Sequence, residues 1–221
     1  MVPQHKNICF HGIGTPNREL EPGEQKYWIT QGQFEDIVEY LAKTPSVRLS
    51  FDDGNASDAE IALPTLARRG LRATFFPVAS RIGHTGSIDR DGLRELVRHG
   101  MDIGSHGMHH QSWRRLTGAD LDEELVLARR LIAEESGVAV ETAACPLGEY
   151  DRRVLARLRR LGYSRVFTSD RCAARPGSWL QARYSVTEDD GPDSVRATVD
   201  QHTPATAAAI SFGKRLVKRW R

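Results

Sequence analysis

The chain has 221 residues, 39% of them hydrophobic and 27% charged, with a formal net charge of +2 at neutral pH. This length and composition predict one soluble globular domain over residues 1–221 and exclude a disordered chain. The near-balanced charge selects no class of partner. No apolar run approaches a membrane span or the core of a secretory signal. Three scattered cysteines, Cys9, Cys145 and Cys172, have no paired spacing and suit a reducing compartment. A cytoplasmic location is therefore expected.

In chain order, the first strand-like run is NICFHGI (7–13). An irregular stretch over 14–32 follows, expected as a loop across one face of the fold, with Glu24, Tyr27 and Trp28 placed to lid a site. VRLSFD (47–52) alternates Val47, Leu49 and Phe51 with Arg48 and Ser50, the period of a strand. A helical pattern over 55–70 stops at Gly70 and leads to ATFFPVA (73–79). A second, over 87–100, stops at Gly100 before DIGSH (102–106). The longest helical pattern covers 117–137 and precedes TAACPLG (142–148). A fourth, capped by Asp151, precedes RVFTSD (165–170), and RYSVTE (183–188) is the last strand candidate. Strand and helix in alternation predict parallel strands with crossover helices. Seven strand candidates suit an α/β fold of the irregular (β/α)7 barrel type, similar to a TIM barrel. The end of the chain, within 213–221, is a basic tail in which Lys214, Arg215, Lys218, Arg219 and Arg221 surround Leu216, Val217 and Trp220. It reads as a solvated helix or as a weak contact with an anionic membrane surface. Elsewhere no basic stripe with interleaved aromatics supports a nucleic-acid partner.

In barrels of this kind chemistry sits where strands end. Asp52 and Asp53 stand there side by side, and their mutual repulsion asks for something positive between them. His106 and His110, in GSHGMHH, are four residues apart, which puts both imidazoles on one face if the segment turns helically. Two neutral nitrogens and one carboxylate, with a position left for water, make up a catalytic zinc site. One aspartate can bind the dication while the other stays free as a base. His109, offset from the other two histidines, is expected at the periphery.

SFDDG (50–54), SHGMHH (105–110) and ACPLGEYD (144–151), in this order and spacing, resemble the successive motifs of the polysaccharide deacetylases of carbohydrate esterase family four, the NodB-homology domain. The resemblance spans about residues 45 to 170. It implies a (β/α)7 barrel and metal-dependent hydrolysis of an N-acetyl group on an amino sugar within a glycan. It also implies that Asp52 is the base, that Asp53, His106 and His110 are the metal ligands, and that the backbone N–H of Leu147 helps to hold the oxyanion. Zn2+ is the expected ion, with Co2+, Ni2+ and Mn2+ as alternatives.

The sequence departs from the family pattern in three places. The arginine that orients the base in the third motif is replaced by Ala144, and Arg183 is a candidate either to reach the same place from another strand or to bind substrate. The later aspartate of the family is at best Asp170. The closing Leu-x-His strand is absent after residue 190, where His202 lies in a polar stretch, but Cys9-Phe10-His11 has its form at the other end of the chain. If the last barrel strand has moved to the N-terminus, His11 is the general acid. Trp113 and Trp179 are candidates for stacking on a sugar ring. Two other readings remain open: a deacylase of a small-molecule or non-sugar amide, and a non-catalytic glycan-binding barrel.

Overall fold

A computed structural model describes residues 5–200. The basic tail and His202 lie outside the described residues. All the main strands pair in parallel. They are β1 (Lys6–Phe10), β2 (Val47–Asp53), β3 (Ala73–Pro77), β4 (Asp102–Ile103), β5 (Thr142–Ala144), β6 (Arg165–Thr168), β7 (Leu180–Ala182) and β8 (Tyr184–Ser185). The hydrogen-bonded order β8–β1–β2–β3–β4 makes one run and β5–β6–β7 another. A parallel bridge between Ser105 and Ala143 joins β4 to β5. β7 and β8 are two halves of one stave that bends at Arg183, pairing first with β6 and then with β1. The ring therefore closes with seven staves as a (β/α)7 barrel, and β1 stands between the last stave and β2.

Strand periodicity sorts the side chains into two layers. Ile8, Phe10, Leu49, Phe51, Ala73 and Phe75 face outward into the main core beneath the helices. Register places Phe10 opposite Phe51 and Phe51 opposite Phe75. Their rings stack at 5.3 and 4.6 Å, and Phe34 of α1 (Gln31–Leu41) meets Phe10 edge-on at 5.1 Å. The alternate residues Asn7, Ser50, Asp52, Gln181 and Arg183 form a polar barrel interior with hydrogen bonds across it.

The helices are α1, α2 (Leu63–Ala67), α3 (Arg90–Arg98), α4 (Gly118–Asp122), α5 (Ala128–Ser136), α6 (Arg152–Arg160) and α7 (Pro192–Asp200). Asp89 and Asp151 cap α3 and α6 by accepting from Gly92 N and Val154 N at 2.8 Å. The long helical pattern over 117–137 is α4 and α5 joined through a π-helical turn, Glu123–Leu127. The NICFHGI run is interrupted at His11. Beyond it Gly12–Ile13 leaves the barrel to pair with Trp28–Ile29, which anchors the 14–32 segment. No helix among the described residues is long and apolar enough to cross a membrane.

Candidate active site

The C-terminal ends of the staves surround a cavity of about 260 Å3, to which His11, Asp52, Asp53, His106, His110 and Leu147 all contribute. In a regular strand two adjacent aspartates would point to opposite faces. Asp53 has φ 78, which breaks the alternation at the last residue of β2, so both carboxylates reach the cavity. Gly54 continues the turn at φ 71, and a Cβ there would lie 2.8 Å from Cβ of Pro77, so only glycine fits. Among the described residues the non-glycine positions with positive φ are Asp53, His110, Leu147 and Arg171, and the first three line the cavity. Backbone strain is thus concentrated at the site.

The histidines arrive by an irregular loop, in contrast to the helical turn that the four-residue spacing suggested. Gly107 at φ 85 and His110 at φ 53 fold the segment back on itself, and their left-handed backbone rules out a helix. What holds it is Glu124, a fully buried carboxylate in the π-helical turn. Its Oε2 accepts from Met108 N at 2.8 Å and Trp113 Nε1 at 3.1 Å. Its Oε1 accepts from His109 N at 3.1 Å and Gln111 Nε2 at 2.9 Å. π-Helical turns of this kind frequently mark functional sites. His109 points outward to Glu123.

The two imidazoles then converge. His106 Nε2 lies 3.6 Å and His110 Nε2 3.4 Å from Asp53 Oδ1. Their other nitrogens face groups that can only accept: His106 Nδ1 donates to the Ala144 carbonyl at 2.9 Å and His110 Nδ1 to Glu21 Oε2 at 2.5 Å. Burial pushes His106 down to about 4, so its ring is neutral at physiological pH and Nε2 carries a lone pair. Asp53 Oδ1 is buried with no hydrogen-bond partner among the described residues. One ligand atom from each of Asp53, His106 and His110 thus lies within 4.8 Å of the other two. A small dication satisfies all three, and the chemistry of the set suits zinc and its neighbours.

Asp52 faces the same space, its Oδ2 3.7 Å from His106 Nε2. Arg183 grips it from the barrel interior, with Nη1 to Oδ1 and Nη2 to Oδ2 both at 2.6 Å. Burial alone would raise the Asp52 pKa, but the Arg183 guanidinium, together with His106 and His11, outweighs it and holds the carboxyl well below the usual range. Asp58, just beyond, shows the opposite case. It is buried with no hydrogen-bond partner for either oxygen among the described residues, and burial together with Asp53 and Asp52 raises its pKa well above the usual carboxylate range. A second convergence, of Cys9, His11 and Asp52, suits a dication less well. Arg183 already occupies both Asp52 oxygens, and burial pushes the Cys9 thiol up.

The polysaccharide deacetylase family model matches residues 41–166, which includes both aspartates, both histidines and Leu147. The chain belongs to the polysaccharide deacetylase family. It is 27% identical over 198 residues to YxkH of Bacillus subtilis strain 168, covering 83% of this chain and 71% of that protein. It is 30% identical over 175 residues to the chitooligosaccharide deacetylase of Bradyrhizobium sp. strain ANU 289, covering 78% and 69%. In fold it is similar to the Streptococcus pyogenes deacetylase PplD, solved with acetate, at a TM-score of 0.78 and 16% identity over 91% of this chain and all of that one.

This deacetylase-family barrel differs from its sequence-based reading at several residues. Arg183 does not line the cavity and cannot bind substrate there, because it is fully buried behind Asp52, between Phe76 and Phe167. Ala144, at the position of the family's arginine, packs in the same small cluster with the two phenylalanines. Trp113 is fully buried against Glu124, and Trp179 donates to the Tyr163 carbonyl beneath Arg159, so neither ring faces the cavity. Asp170 accepts from Tyr150 and Thr168 and lies outside the cavity lining. His11 follows β1 with a ring nitrogen within 4.8 Å of an Asp52 oxygen, is stacked on Tyr27 at 4.7 Å, and has its Nδ1 buried with no hydrogen-bond partner among the described residues. Leu147 sits in the turn after β5 with its side chain exposed at the rim. The 14–32 segment covers one side of the cavity through Glu21, Glu24, Lys26 and Tyr27. Trp28 is buried beneath it rather than facing the cavity. Sequence reasoning missed Glu21 and Glu124. Glu124 had a signal, since it occupies the apolar stripe formed by Leu121, Leu125 and Ala128.

Proposed function

We propose that the chain is a hydrolase that removes an N-acetyl group from an amino sugar in a glycan or glycan precursor, using a divalent metal held by Asp53, His106 and His110. The observation that carries this reading is the buried Asp53 Oδ1, without a hydrogen-bond partner among the described residues, facing the Nε2 atoms of two imidazoles, with Asp52 clamped beside them in one cavity. When bound, the ion, Zn2+ or one of Co2+, Ni2+ and Mn2+, supplies Lewis acidity toward a water and the acetyl carbonyl.

The remaining steps belong to the chain. Asp52, kept ionised and oriented by Arg183, accepts a proton from the water whose oxygen bonds to the acetyl carbon. Charge then gathers on the carbonyl oxygen, where the Leu147 backbone N–H is the donor. His11 gives a proton to the sugar nitrogen as the carbon–nitrogen bond breaks, leaving acetate and a free amine. A chitooligosaccharide deacetylase among the relatives supports a sugar amide as substrate. The test supplies the metal-loaded protein with N-acetylated glucosamine oligosaccharides and, separately, with N-acetyllysine peptides. Acetate is expected from the sugars, matched by new amines. Acetate from the peptides alone, or from neither, contradicts this assignment.

A further inference from the structure

Besides the Tyr27 ring stacked on His11 and the Trp28–Ile29 pairing, the 14–32 segment is tied to the site by charged side chains at two places. Arg18 pairs with Glu24 and donates to Asn55 Oδ1 from Nε at 3.2 Å and Nη2 at 2.9 Å, which fixes the segment beside the end of β2. Glu24 also accepts from Glu21 N at 2.9 Å and Trp28 Nε1 at 3.4 Å, so the stretch from Arg18 to Trp28 is a folded strap rather than a loose loop. Its second tie is Glu21. One oxygen is 2.5 Å from His110 Nδ1, and the other pairs with Arg81, in the turn after β3. His110 is 10% and Arg81 17% exposed, whereas Glu21 itself is 39% exposed. A half-exposed carboxylate has water as an alternative partner, and here it is spent on an imidazole and a guanidinium from two separate loops.

We infer that Glu21 is a positioning residue that couples closure of the 18–28 strap over the cavity to metal affinity at His110. The inference rests on the reading that Asp53, His106 and His110 hold a metal. A carboxylate on Nδ1 fixes the tautomer and ring orientation and makes Nε2 a stronger donor, an arrangement whose loss lowers metal affinity about 10–100-fold. Linkage makes the effect reciprocal: whatever factor the docked strap adds to metal affinity, metal adds to strap docking. The strap supplies one wall of the cavity, so the metal-loaded form is also the form with that wall in place.

The test uses the full chain, Zn2+ titrated against a chromophoric chelator, and trypsin cleavage after Lys26, an exposed residue within the strap. Wild-type protein is expected to bind one Zn2+ and to be cleaved more slowly at Lys26 when it does. Glu21→Ala is expected to weaken Zn2+ binding about 10–100-fold and to remove that protection. Glu21→Gln, which keeps an acceptor oxygen without the charge, is expected to fall between the two. Glu19→Gln, on an exposed neighbour, is expected to match wild type. Equal Zn2+ affinity in wild type and Glu21→Ala, or metal-dependent protection that survives Glu21→Ala, overturns the inference and leaves the metal site standing. Wild-type protein that binds no Zn2+ overturns both.

Discussion

Replacing Arg183 with Met isolates the interaction on which the base depends. Asp52 is 2% exposed and Arg183 fully buried, so the substitution leaves a buried carboxyl group without both Arg183 hydrogen bonds. Breaking a buried pair from one side costs about 3–5 kcal/mol. At about 2–4 °C per kcal/mol for a chain of this size, the melting temperature should fall by about 6–20 °C. Thermal unfolding followed by circular dichroism in the presence of chelator measures this without a contribution from bound metal. The double variant Asp52→Asn/Arg183→Met removes both charges of the pair and should recover most of the loss. The sign with pH is also fixed. Because the folded pKa of Asp52 is depressed, the pair's contribution is complete above the ordinary carboxylate value of about 3.9 and is lost as pH falls below it. The gap between wild type and Arg183→Met should therefore narrow in acid. An Arg183→Met protein that melts within about 2 °C of wild type, or a double variant no more stable than it, would refute the reasoning.

Three other outcomes follow from the site. Glu124→Gln places an amide donor among four donors, costs about 1–3 kcal/mol for each backbone N–H left without its acceptor, and should weaken metal binding through the His106–His110 loop; unchanged melting and metal affinity would count against it. His11→Ala should cut turnover while metal content, measured by elemental analysis, stays at the wild-type level. Gly54→Ala forces a Cβ to within 2.8 Å of Pro77 at a left-handed backbone position, and should lower soluble yield or melting temperature, with about 1–2 kcal/mol coming from the backbone alone.

Much of the barrel was readable because its outward layer is periodic. Val47, Leu49 and Phe51 announce β2 by alternation, and Gly70 and Gly100 punctuate the helices before β3 and β4. α1 went unread although Thr30 and Gln33 form a capping box, because the segment before it is irregular. β7 is only three residues long and merges into β8, so the last stave looked like RYSVTE alone. At the site, residue identities were legible and backbone routes were not. The pairing of His106 with His110 holds in space, yet a loop achieves it, since spacing carries no information about φ. Arg183 could be suspected as a stand-in for the arginine replaced by Ala144, but its contact with Asp52 requires the ring to be closed. The tryptophans misled because aromatic rings suit sugars and cores equally well.

The metal content of the purified wild-type protein, measured alongside Asp53→Ala and His110→Ala, bears most directly on the whole account. One equivalent of a divalent transition metal in the wild type, lost in both variants together with acetate release, is the predicted result. Full acetate release from metal-free protein, or metal retained equally by all three, would contradict it.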